Sequence, residues 1–143
     1  MWLLLAACST VSASKPDGAE ELEVAVLMHR FQVHSEKLYF AGKAENWELA
    51  SFYLHELEEG AAELRDANVS EEGFSLSKGV EAIFVPAHHK LEEVVKAKSS
   101  AEFEGAYAGL VGSCNACHGA SKHGFIVIQT PTRPAFSGQK YTP

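Results

Sequence analysis

Apolar side chains recur at intervals of three and four residues from about position 20 to position 121, with few β-branched runs. That period admits helices and little else. The first stripe, over about 20 to 41, carries Val24, Leu27, Met28, Phe31, Leu38 and Ala41, with Gly42 as a stop. The second, over about 45 to 66, carries Trp47, Ala50, Leu54, Leu57, Ala61 and Leu64, and breaks down between Asn68 and Gly73. The third, over about 76 to 98, puts Val80, Ile83, Ala87, Leu91 and Val94 on one face, and Pro86 within it predicts a kink or a second start. In the fourth, Ser99 with Glu102 spells a capping box, and Phe103, Ala106, Tyr107, Leu110, Cys114 and Cys117 continue one face to about Ser121. Each stripe needs neighbours to cover it, so four of similar length with short connections predict an all-α, antiparallel up-down four-helix bundle.

Beyond Gly124 the pattern changes. Phe125-Ile126-Val127-Ile128 is apolar and largely β-branched, and the remainder runs through Pro131, Pro134, Gly138 and Pro143, which predicts an extended C-terminal arm over 124–143 lying on the bundle. The chain thereby divides into a leader and tether at 1–19, a four-helix domain at 20–123 and the arm. With 143 residues, 46% of them apolar, one domain can bury a core. A formal charge of −7 leaves no electrostatic footprint for nucleic acid or anionic lipid. No apolar run approaches the eighteen or so residues that span a bilayer. Nor is there a nucleophile beside a base, a phosphate-binding loop or an H-E-x-x-H, so the chemistry expected is not that of an enzyme.

Three cysteines, Cys8, Cys114 and Cys117, cannot all pair within one chain. The run Leu3-Leu4-Leu5-Ala6-Ala7-Cys8 resembles the lipobox of bacterial lipoproteins, and Ser9 to Gly18 is small and polar, as a flexible tether would be. That resemblance implies lipidation at Cys8 and a membrane contact through the lipid alone. Read as part of an ordinary secretory signal, the segment still implies export, to a periplasmic or cell-envelope location.

The other two belong to Cys114-Asn115-Ala116-Cys117-His118, a C-x-x-C-H run, the attachment signature of c-type heme. Residues three apart share a helix face, so two thiols there reach two vinyl groups along one porphyrin edge, and the adjacent imidazole reaches the iron. Competing readings ask for other surroundings. A redox dithiol sits at a helix start after a strand, where the dipole lowers a thiol pKa. A structural zinc site needs two further ligands in a compact arrangement; there is no second Cys pair, and His118 with His123 would crowd all four ligands into ten residues. A disulfide between residues three apart on a helix is strained. One covalently held heme c is the expectation, and a lipid-tethered helical scaffold in which the motif is incidental is the alternative from another class.

A C-x-x-C-H near the end of the last of four helices resembles the class II c-type cytochromes, the cytochrome c-prime type. The run from Phe103 through Ala106, Tyr107, Leu110 and Ser113 to Cys114, Cys117 and His118 looks like that family's fourth helix, and the likeness covers about residues 20 to 121. It implies a heme packed between helices, attached at Cys114 and Cys117 with His118 as the proximal ligand, and a homodimer formed through the first two helices. The basic residue that many members carry after the ligand corresponds here only to Lys122, in a different register, and the arm has no counterpart.

What stands opposite His118 decides between two uses of such an iron. Members with an apolar distal residue leave the iron five-coordinate, and others use a methionine of the first helix. Met28 is this chain's candidate by that likeness, with a core filler as the plain alternative. His34, also near the first stripe, is the rival ligand. His29 falls on a more polar side, His55 among Glu56, Glu58 and Glu59, and in His88-His89 one ring must face inward if the other faces out; the pair reads as solvated, with a heme propionate as the alternative partner. A ligated sixth position predicts electron transfer to a redox partner protein, with an acidic surface suited to a basic one. An open position predicts binding of a small gas such as nitric oxide or carbon monoxide.

Overall fold

The structure, a computed structural model, describes residues 23–136 and 138–143; the lipobox-like segment with Cys8 lies outside the described residues. The helical stripes are realised as α1 (Val24–Lys43), α2 (Trp47–Asp66), α3 (Leu76–Gly79), α4 (Val85–Lys96) and α5 (Ser100–Ala120). A π-helical stretch, Val80–Phe84, joins α3 to α4. The chain is mostly helical and belongs to the all-α class. α1 packs chiefly on α2 and α4 chiefly on α5, while α2 also meets α4, and α5 meets α1 and the π-helical stretch. Leu27, Leu38, Leu57, Leu91, Phe103, Tyr107 and Leu110 are fully buried between them. Each such leucine contributes roughly 1.5–3 kcal/mol by leaving water.

Several boundaries have local causes that the stripes did not carry. Gly42 is not a stop. It lies inside α1, buried, and a Cβ there would fall within the ring of Phe103, so the position is glycine because α5 approaches closely. The stop is a Schellman motif one turn on, in which Glu45 takes φ 57°, its N–H bonds Gly42 O at 3.0 Å, and the Asn46 N–H bonds Ala41 O at 2.9 Å. The same closure ends α4, with Lys98 at φ 52°, and α5, with Lys122 at φ 61°. The capping box at α5 is not made either. Ser99 is the N-cap residue but its side chain caps nothing, and Ser100 Oγ instead donates to Glu45 Oε1 at 2.6 Å.

Asn68 to Gly73, where the second stripe fails, leads into a small antiparallel hairpin, β1 (Ser70–Glu71) with β2 (Phe74–Ser75). Glu72 and Gly73, at φ 50° and 83°, both take the positive φ that a two-residue type I′ turn needs. Pro86 marks a second start, as expected, and shows how: lacking an N–H, it sits in the first turn of α4, where no donor is required. The π-helical bond from Val85 N–H to Val80 O just before it inserts an extra residue into the helical period. That shift corrects the expected face. Val80, Phe84, His88 and Leu91 point inward, and Ile83 and Ala87 are only half-buried.

The arm is extended and returns over α1 and α2. The Ala135 N–H bonds Glu36, the Tyr53 hydroxyl donates to Gln139 Oε1 at 2.8 Å, and the Tyr141 ring packs 5.7 Å from that of Phe40. Lys37 reaches over the rings of Tyr53 and Phe136, at 5.6 and 5.1 Å from their centroids.

Candidate functional site

The last two turns of α5 carry Cys114, Asn115, Ala116, Cys117 and His118. Thiols three residues apart leave the helix on one side, about 4.5 Å apart along its axis. Phe103, Tyr107 and Leu110, buried earlier on the helix, fix which side that is. The helix then closes tightly: the His123 N–H bonds His118 O at 2.7 Å, and Ser121 Oγ donates to Cys117 O at 3.0 Å.

Both cysteines are free and half-buried. Burial pushes the Cys114 thiol up to about 11, with the nearby Cys117 adding to it, and burial raises Cys117 as well. Such thiols stay protonated at neutral pH. A redox dithiol requires the opposite shift. Cys117 lies against α3, where a Cβ on Gly79 would come 3.1 Å from Cys117 Sγ and 2.7 Å from the Phe74 ring. The Phe74 ring, on the small hairpin, thus packs over Gly79 next to one thiol, giving that thiol an apolar neighbour.

The His118 ring is held from the arm, with Nδ1 2.9 Å from Ile126 O. A carbonyl oxygen only accepts, so Nδ1 carries a proton and Nε2 is the ring nitrogen left for a ligand. This is the tautomer in which imidazole binds a metal through Nε2. Asn115, between the two cysteines, grips the same arm: its Nδ2 donates to Ile128 O at 2.9 Å, and the Ile128 N–H donates to its Oδ1 at 2.8 Å. Sequence reasoning missed Asn115, Ile126 and Ile128 as parts of the site. The available signal was an amide side chain inside the motif and a β-branched run eight residues on.

Met28 is half-buried on α1 and packs against the core. His34 is committed elsewhere. Its Nδ1 is 3.9 Å from Glu56 Oε2, its ring is 5.9 Å from that of Tyr53, and burial lowers its pKa against the opposing pull of Glu56. That side of α1 meets α2, not the cysteine-bearing turns. His29 is exposed, and His55 is exposed beside Glu58 and Glu59. The pair His88-His89 divides as one in and one out. His88, 3% exposed, donates through Nε2 to Leu54 O at 2.9 Å, so it is a core residue and not half of a solvated pair.

Among the described residues no three His, Cys, Asp or Glu side chains come together as a metal-ligating group, so the four-ligand zinc reading finds no ligand set. Heme asks less of the protein, namely two thiols on one face and one imidazole with a free Nε2, and these residues fit it. Among the described residues no helix is long and apolar enough to cross a membrane. No family model, no curated protein and no solved structure matches the chain.

Proposed function

We propose that this chain is an exported monoheme c-type cytochrome of the cytochrome c-prime type that carries electrons. The observation that carries the reading is the His118 ring, protonated at Nδ1 toward Ile126 O, with Nε2 left to ligate, one residue beyond two protonated thiols on the same helix face. Cys114 and Cys117 would hold the heme c through thioethers, each thiol S–H adding across one vinyl double bond, and His118 would ligate its iron. When bound, the heme supplies a one-electron couple.

The four rods, α1, α2, α3 with α4, and α5, are read here as an antiparallel up-down bundle around that cofactor. Along α1 and α5 the contacts descend one helix as they ascend the other. Phe103 meets Gly42, the Tyr107 ring lies 4.8 Å from Tyr39, and the Tyr107 hydroxyl donates to Ser35 O at 3.0 Å. Cys114 lies seven residues after Tyr107, and Met28 seven residues before Ser35. Two turns on each helix preserve the face, which supports Met28 as the sixth ligand. Phe31 and Phe84, whose rings meet edge to face at 5.5 Å, and Phe74 would supply apolar packing for such a cofactor. His34, turned to Glu56 on α2, is the weaker candidate.

The acidic surface suits a basic redox partner, whose association would weaken with salt. The N-terminal segment is read as delivering the chain to the periplasm or cell envelope, with a lipid at Cys8 if the lipobox is used. The test is expression with the heme-maturation machinery. A mass increased by one heme, absent in Cys114→Ala/Cys117→Ala, together with low-spin ferric and ferrous spectra, is the expected outcome. A mature chain weighing no more than its amino acids and any lipid removes the cytochrome in favour of a scaffold. A high-spin iron that takes up carbon monoxide or nitric oxide moves the function to gas binding.

A further inference from the structure

Of the residues in the motif, Asn115 has no part in attachment, and its side chain is fully used. It bonds both the N–H and the C=O of Ile128, as a neighbouring strand would. In extended chain, residues two apart present their backbone groups on the same edge. The arm residue two before Ile128 is Ile126, and its carbonyl accepts the hydrogen bond from His118 Nδ1. Phe125, Ile126 and Val127 otherwise stand in solvent, Phe125 at 80% exposure, so the stretch next to the ring has little apolar burial of its own to hold it. Further along, the arm is anchored only at Ala135 and beyond, on α1 and α2. Between the end of α5 and that anchor, a turn bond from the Ile126 N–H to His123 O at 2.8 Å and the Asn115 pair on the half-buried Ile128 hold the segment, and only the Asn115 pair reaches past Ile126.

We infer that Asn115 is a positioning residue, one that clamps Ile128 so that the Ile126 carbonyl stays on His118 Nδ1 and sets the donor strength of Nε2. This deepens the heme reading and rests on it. A carbonyl accepting from Nδ1 makes the ring a stronger donor at Nε2, which favours the more highly charged ferric iron. Asn is suited to the task because one short amide carries both a donor and an acceptor. Asp would lose the donor, and Ala would lose both.

Two measurements on the full-length, heme-loaded chain test this, with Asn115→Ala, Asn115→Asp and the exposed control Phe125→Ala. Amide exchange at Ile128 should speed up at least tenfold in Asn115→Ala and less in Asn115→Asp, and stay unchanged in Phe125→Ala. The midpoint potential should rise in Asn115→Ala by about a tenfold shift in the reduced-to-oxidised ratio, ~59 mV for one electron, with a smaller rise in Asn115→Asp. Unchanged exchange overturns the clamp. Faster exchange with an unmoved potential leaves a clamp that does not tune the ring, and overturns the positioning role. If the parent chain carries no heme, it is the cytochrome reading that fails; the exchange experiment on the colourless chain still decides whether Asn115 holds the arm.

Discussion

The ring of Phe103 occupies the volume that a side chain at position 42 would need, so Gly42 and Phe103 fix how closely α1 and α5 approach. Phe103 cannot retreat, because Trp47, Tyr39 and Tyr107 pack around it with ring centroids 6.0 to 6.4 Å away. Gly42→Ala gains up to ~1 kcal/mol of helix propensity but forces an overpacked core that costs about 1–3 kcal/mol or more. The net expectation is a loss of ~1–2 kcal/mol, measured as a lower urea midpoint at constant slope. An unchanged midpoint would show that α5 can slide away from α1.

Lys98 makes the reverse case. It holds φ 52° as the left-handed residue of the α4 Schellman motif, a conformation that costs an L-residue energy and glycine none. Lys98→Gly should therefore stabilise the chain by about 1 kcal/mol, despite the flexibility it adds to the unfolded state. Thermal melting checks it, and a lower Tm would contradict the backbone argument.

The helices and most of their buried positions were legible because an amphipathic stripe is a local pattern, and Leu27, Leu38, Leu54 and Leu91 obey it. That Cys114 and Cys117 share one face of the last helix was legible because residues three apart always do. What escaped depends on residues distant in sequence. Gly42 reads as a helix stop until Phe103 is brought to it, and Asn115 reads as a spacer until the arm returns. The π-helical turn before Pro86 escaped because it changes only the positions beside it: Phe84 and His88 take the buried places expected of Ile83 and Ala87, while Leu91 and Val94 stay on the stripe.

That inserted residue puts His88 in the core, and its substitution gives a contrast with its neighbour. The His88 ring lies tilted against that of Phe84, centroids 5.6 Å apart, and bonds Leu54 O, whereas His89 is exposed. His88→Ala loses a buried hydrogen bond and leaves a cavity, together about 2–4 kcal/mol. His89→Ala should stay within about 0.5 kcal/mol. Denaturant unfolding of the two variants distinguishes them, and equal losses would contradict the inward place of His88.

The thiols give a pH dependence in the chain before heme is attached. Burial raises the folded pKa of Cys114 to about 11, above the usual thiol value, so the neutral form is what the fold favours. This contribution is fully present below the unfolded thiol pKa of roughly 8.5 and is lost as pH rises from there through the folded value. Alkylation of the folded, heme-free chain at pH 8 should accordingly be slow at Cys114 and faster at less buried Cys117, and both should accelerate toward pH 11. Rapid modification of Cys114 at neutral pH would restore the redox-dithiol reading.

Met28 tests the axial assignment without touching the attachment. The register that pairs Tyr107 with Ser35 brings Met28 to the level of Cys114, and the residue is half-buried, so its thioether need not be drawn out of solvent to ligate. Met28→Ala should leave covalent heme in place and convert a low-spin iron to one that is high-spin in at least one oxidation state, with carbon monoxide now binding to the ferrous form. The potential should fall, since a thioether favours the ferrous ion. Met28→Leu, which keeps the volume, separates ligation from packing: the same spectral change without the stability loss expected when this half-buried methionine is cut to alanine marks a ligand. His34→Gln should leave the spectrum as it is, because that ring is turned toward Glu56. A spectrum that survives Met28→Leu and changes in His34→Gln would exchange the two assignments and require α1 to rotate toward α5.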